Sequence, residues 1–269
     1  MLKIVEPAKP IAPYIGGKIK LAKHLCHLIE QIPHKCYAEP FVGMGGVFFR
    51  RTKAPACEVI NDLNGEIANL FRILQRHYHP FMDMLKFQIS SRAEFDRLKA
   101  IDPTTLTDLE RAARFLYLQR LSFGGKLRHQ TFGTSTANKA HFDTTKLKPM
   151  LEAVHQRLSR VTIENLDWLA FIDRYDRPHT LFYLDPPYFG NENDYGKGMF
   201  GRDQFVLIVE RLAQIKGHFI LSINDTPPIR EIFAPFHIRQ ANLTYSIGRD
   251  NSTQAKELII SNWAAFQST

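Results

Sequence analysis

The sequence predicts an α/β fold: a mostly parallel sheet covered by helices on both faces, with one helical and basic segment inserted into it. Three observations carry this. Short apolar runs that end at turn residues alternate with stretches whose apolar residues recur at helical spacing. Between about Asn64 and Gln119 only helical patterns occur. A glycine-rich turn follows the first strand candidate and an acidic residue ends the second, as in open α/β sheets that bind ligands at the carboxyl ends of their strands.

Lys18 to Ile32 has Leu21, Leu25, Leu28 and Ile32 on one stripe and predicts an amphipathic helix stopped by Pro33. Lys35 to Ala38 is a short strand running into Glu39-Pro40-Phe41-Val42-Gly43-Met44-Gly45-Gly46, after which a helix is expected through Val47 to Arg51. Cys57 to Ile60 is a second strand ending at Asn61-Asp62, and Ile67, Leu70, Phe71 and Leu74 mark the next helix. Leu109, Ala113 and Leu116 form a further stripe, with Arg111 and Arg114 off it. Arg120 to Lys148 is polar and basic, with weak periodicity. Strands return at Val161 to Ile163, Thr180 to Leu184, His218 to Ile223 and Leu258 to Ser261, with a helix marked by Phe205, Ile208, Val209, Leu212 and Ile215.

The chain holds 44% hydrophobic and 12% aromatic residues, enough for a substantial core. Its formal net charge of +8 favours a polyanionic partner. Cys26, Cys36 and Cys57 have no metal-ligand spacing, and an odd number argues against a disulfide framework. No run approaches the roughly 18 apolar residues that span a bilayer, and Met1 to Pro13 has no apolar signal core. A cytoplasmic protein with no membrane association and no metal is expected.

Three constellations carry chemistry. The glycines of Phe41 to Gly46 let the backbone turn tightly and approach a ligand, although the third glycine of the dinucleotide fingerprint is missing and an ordinary strand-to-helix turn stays open. Asp62 lies 19 residues after Gly43, where a carboxylate can bind ribose hydroxyls or cap the next helix. The strongest signal is Asp185-Pro186-Pro187-Tyr188 at the end of an apolar strand. Two prolines remove backbone donors and fix the chain direction. The Asp185 carboxylate and nearby carbonyls can then accept outside hydrogen bonds beside the flat face of Tyr188, which suits an amino group on a planar ring.

With these residues, the chain resembles the Dam-type DNA adenine methyltransferases. Their motif order is glycine turn, target-recognition insertion, then DPPY, and this sequence has that order. Pro13-Tyr14-Ile15-Gly16-Gly17-Lys18 resembles the family's W-x-G-G-K motif, with Tyr14 where Trp is usual. Glu39 to Gly45 matches E-P-F-x-G-x-G, Asn61-Asp62 the ribose carboxylate, and Glu164-Asn165-Leu166-Asp167 the cofactor-adenine motif. Ile220 to Asp225 resembles a later motif near the catalytic pocket. The resemblance implies a Rossmann-like class I methyltransferase sheet, formed by residues 1–64 and 149–269, with a mainly helical target-recognition insertion at 65–148. It implies S-adenosyl-L-methionine as cofactor, held by Tyr14, Gly17, Lys18, Glu39, Phe41, Gly43, Gly45, Asp62, Asn165 and Asp167. Asp185, Pro186, Pro187 and Tyr188 would be catalytic, with Asp185 and the Pro186 carbonyl polarising the amino group of a flipped-out adenine and Tyr188 stacking on it.

The partner implied is double-stranded DNA, bound by a monomer. Arg120, Phe123, Lys126, Arg128 and Lys197 would contact it, with Phe123 as the wedge beside the flipped base. Lys126 replaces an apolar residue and the recognition hairpin is shortened between His129 and Gly133, so a short or relaxed target is expected. Gly190 to Phe200 reads as a mobile loop near the pocket or as passive surface. Methylation of the cytosine amino group is the nearest rival, disfavoured by Asp185 where that class often has Ser. A catalytically silent DNA-binding relative is disfavoured by the intact Asp185 and Pro187. RNA and protein glutamine amides are further substrates to weigh, and a nicotinamide oxidoreductase gives no reason for the Asp-Pro-Pro-Tyr cluster.

Overall fold

The computed structural model describes residues 1–127, 129–133, 142–191, 200–247 and 251–268. A seven-stranded sheet has the order β5-β4-β2-β6-β7-β9-β8. Its strands are β2 (Cys36–Glu39), β4 (Cys57–Asn61), β5 (Thr162–Glu164), β6 (Thr180–Leu184), β7 (His218–Asn224), β8 (His237–Ile247) and β9 (Asn251–Ser261). The strands from β5 across to β7 run parallel, whereas β9 pairs antiparallel with both β7 and β8. The short β1 (Lys3–Ile4) and β3 (Lys53–Ala54) pair separately.

Strand residues alternate between two cores, as a side-chain period of two requires. Leu181 and Tyr183 enter the core formed with α1 (Ala22–Gln31), α2 (Gly65–Arg76), α3 (Tyr78–Leu85), α4 (Arg92–Ala100), α5 (Asp108–Leu121) and α6 (Thr144–Leu158). Phe182 and Leu184 enter the core formed with α7 (Trp168–Tyr175), α8 (Asp203–Ala213) and α9 (Pro227–Ile232). Both faces of the sheet are therefore covered, as expected for fully apolar parallel strands.

The stretch from Asn64 to Gln119 is helical, as its spacing predicts. Three features differ from expectation. The first helix begins at Ala22 rather than Lys18. The segment after the glycine turn is a single 3-10 turn, Phe48–Arg50, because the chain becomes extended at Arg51 to enter β3. The sheet ends in an antiparallel hairpin, of which only the last four residues read as strand. Residue 148 lies within α6, whose Leu147, Leu151, Val154 and Leu158 share a core with α2 to α5. No helix among the described residues is long and apolar enough to cross a membrane.

Candidate active site

Strand order reverses at β2 and β6, since the chain passes from β2 outward to β4 and β5 and returns to β6 and β7. Loops diverge at such a switch point and leave a crevice at the strand ends. There a cavity of about 400 Å³ is lined by Tyr14, Gly17, Lys18, Glu39, Phe41, Gly43, Asp62, Asp185 and Pro187, among others.

The glycine turn is built by conformation and by contact. Gly43 (φ +51°) and Gly45 (φ +71°) occupy the left-handed region. A Cβ on Gly43 would lie 2.8 Å from the Tyr14 ring, and one on Gly45 would strike Phe49. Gly43 N donates to Asp62 Oδ2 (2.9 Å) and Asn64 N donates to Asp62 Oδ1 (2.9 Å). The cap of α2 is Asn64, which accepts from Glu66 N at 3.0 Å, so Asp62 is left to brace the glycine turn and face the cavity. Asn61 ties the neighbouring loops together. It donates to the carbonyls of Pro40 (2.9 Å) and Leu166 (3.0 Å) and accepts from Leu166 N (2.8 Å).

Asp185 stands at the carboxyl end of β6, its side chain 23% exposed to the cavity. Among the described residues its Oδ1 takes both polar contacts, Lys18 Nζ at 2.9 Å and the Ser222 hydroxyl at 3.3 Å. Ser222 also shares a hydrogen bond of 2.7 Å with Tyr183 Oη inside the core. Lys18 is 2% exposed. Its ammonium donates to Tyr188 Oη (2.6 Å) and sits 4.3 Å from that ring's centroid. Tyr188 Oη donates to Glu257 Oε1 at 2.7 Å. Past Tyr188 the chain is clamped by Asn224, whose side chain accepts from Phe189 N and donates to Phe189 O, each at 2.9 Å.

Burial raises all three cavity carboxyls. Asp185 is pushed up to about 6, against the pull of Lys18. Asp62 also reaches about 6, against two backbone N–H donors. Glu39, 1% exposed and accepting from Tyr37 Oη at 2.6 Å, reaches about 8.

Other expected site residues lie elsewhere. Gly45 is absent from the cavity wall and packs on Phe49. Asn165 donates to the carbonyls of Asp62 (2.7 Å) and Leu63 (3.1 Å), while Asp167 caps α7 through Leu169 N (2.8 Å); neither lines the cavity. Pro186 and Tyr188 stand beside it rather than in its wall. Arg120 is in the wall, donating to the Ile11 carbonyl. Phe123 is 69% exposed and Lys126 exposed, on a turn closed by the Ser122–Phe132 bridge. Gln119 binds that turn to the N-terminal motif, donating to Pro13 O (2.8 Å) and Gly125 O (2.7 Å). Arg128, Lys197 and most of the loop from 190 to 200 lie outside the described residues. Glu257 and Tyr183 carry no sequence signal as site residues. Among the described residues no group of three His, Cys, Asp or Glu could hold a metal ion.

Residues 14–247 match the D12 class N6 adenine-specific DNA methyltransferase family. The Type II methyltransferase M1.LlaDCHI of Lactococcus lactis subsp. cremoris is 26% identical, the match covering 95% of each chain. The Type II methyltransferase M.CviBI of Paramecium bursaria Chlorella virus NC1A is 25% identical, over 84% of this chain and 86% of that one. The DNA adenine methylase of Haemophilus influenzae is 25% identical, over 93% and 92%.

Proposed function

We propose, from the premise that this chain belongs to the D12 class N6 adenine-specific DNA methyltransferase family, that its switch-point cavity is where a DNA adenine is methylated and that Asp185 orients the reacting nitrogen. The chain is a DNA adenine methyltransferase with a mixed α/β fold. The observation that carries the residue assignment is Asp185 itself. It opens on the cavity at a strand end, and among the described residues both of its polar contacts fall on Oδ1. Oδ2 is thereby left to accept from a substrate amino group.

The adenine amino nitrogen is a weak nucleophile, because its lone pair is delocalised into the ring. Hydrogen bonds from its two N–H groups to Asp185 and to the Pro186 carbonyl favour a pyramidal nitrogen with a directed lone pair. This is alignment with electrostatic stabilisation, and no covalent bond to the protein forms. Tyr188 supplies the stacking face for the flipped base.

The cavity suits S-adenosyl-L-methionine. Its volume lies within the usual range for a small-molecule site, about 300–1,000 Å³. Its wall pairs the rings of Tyr14 and Phe41 with the Asp62 carboxyl, which suits a ligand carrying a nucleoside. When bound, the cofactor supplies an electrophilic methyl on sulfonium. In this reading Asp62 takes ribose hydroxyls and Gly43 allows close approach, while Asn165 and Asp167 hold the loop that borders the adenine end. Residues 65–148 supply the DNA-reading surface, with the exposed Phe123 as wedge and the exposed Lys126 toward the duplex. The enzyme acts as a cytoplasmic monomer without metal.

Asp185→Ala is expected to abolish transfer of labelled methyl to DNA while melting temperature and cofactor affinity stay close to wild type. Full activity in that variant would overturn the assignment.

A further inference from the structure

Beside Asp185 lies a buried carboxylate that the reaction as described does not use. Glu257 sits on β9 opposite Asn224 of β7 and is 2% exposed. It reaches the site from the far side of Lys18, with Oε2 3.5 Å from Nζ and Oε1 accepting from Tyr188 Oη at 2.7 Å. An ammonium has three donors. Among the described residues the Lys18 ammonium donates to Tyr188 Oη and pairs with Asp185 Oδ1, and Glu257 Oε2 faces it as a second ion-pair partner 3.5 Å away.

A lysine facing Asp185 alone would concentrate its charge on that carboxylate and compete with any incoming amino donor. A second carboxylate divides the pull, keeps Nζ on the Oδ1 side and leaves the cluster net negative. The Tyr188 oxygen is meanwhile held from two directions, which sets the plane of its ring. We propose that Glu257 is a positioning residue for methyl transfer: through Lys18 and the Tyr188 hydroxyl it keeps one Asp185 oxygen presented to the substrate amino group and keeps the Tyr188 ring in its stacking plane. The proposal rests on the assignment of Asp185 above.

The groups facing Asp185 are Lys18 ahead of α1, Glu39 on β2, Tyr183 on β6, Ser222 on β7, Glu257 on β9 and Tyr188. The ionised Asp185 is the stronger, charge-assisted acceptor, so the rate of methyl transfer falls as pH drops through about 6. Glu257 pushes Asp185 upward, so removing its charge moves this acid limb to lower pH. A purely structural defect lowers the rate without moving the limb.

The test uses the full chain, labelled S-adenosyl-L-methionine and a duplex substrate under single-turnover conditions. Glu257→Gln is expected to slow methyl transfer by about 10²-fold, with dissociation constants for DNA and cofactor within about twofold and the acid limb displaced downward. Tyr188→Phe, which keeps the ring and deletes the shared oxygen, is expected to slow transfer by about tenfold and decides the matter if Glu257→Gln does not fold. A wild-type rate in either variant, or a slower Glu257→Gln enzyme with an unmoved acid limb, overturns the proposal. Asp185→Ala is run alongside. Activity there removes the assignment of Asp185, whereas an inactive Asp185→Ala beside a wild-type-like Glu257→Gln removes only the role of Glu257.

Discussion

Glu39 illustrates how much a single buried group can set. It is 1% exposed, accepts from Tyr37 Oη, and has its carboxyl raised from 4.5 to about 8 by loss of solvent. Because the folded value exceeds the unfolded one, its contribution to stability is complete below about pH 4.5 and fades as pH rises through about 8. Glu39→Gln preserves the neutral form at every pH. Its melting temperature is expected to vary less between pH 5 and 9 than that of the wild type, and equal slopes would show that Glu39 does not carry the effect. Other site residues differ in how far the chain announced them. Asp185, Gly43 and Asp62 stand out because prolines, glycines and a carboxylate at strand ends have few packing reasons to be there. Lys18 reads as a cofactor residue; it lines the cavity, and its ammonium also pairs with Asp185 and Glu257 and donates to Tyr188. Glu257 has no local signal: 72 residues separate it from Asp185, and only the register of β9 against β7 brings it to Tyr188.

Helices reveal themselves through ends as well as stripes. Thr107 and Glu110 form a reciprocal capping box at the start of α5, which carries Arg120 to the cavity and Gln119 to the Pro13 carbonyl. Thr107→Ala is expected to destabilise the protein by about 1 kcal/mol, measured by chemical denaturation, with methyl transfer unchanged under saturating conditions. An unaffected midpoint would mean that packing alone sets this terminus. The central helices and parallel strands were legible because each buries one face or two. α6 went unread because it begins within a polar, weakly periodic stretch, although Leu147, Leu151, Val154 and Leu158 keep helical spacing. The glycine turn favoured a following helix that β3 cuts short. In β8 the residues His237, Arg239 and Gln240 dilute any apolar alternation, as befits a strand at the sheet's margin.

At the scale of the molecule, five parallel strands make the crevice and an antiparallel hairpin completes it. β9 is inserted between β7 and β8, so β8 touches the sheet only through a strand that follows it in sequence. A chain ended at residue 247 is expected to leave β7 as an open edge and to aggregate, judged by size-exclusion chromatography. A well-behaved monomer with intact sheet signal would contradict this. The same arrangement has a consequence for biosynthesis. While the ribosome is still adding β9, the nascent polypeptide already holds its glycine turn and its Asp-Pro-Pro-Tyr segment, but Tyr188 has no carboxylate to anchor its oxygen. Tyr188 therefore gains this anchor only after β9 has been made and has paired with β7.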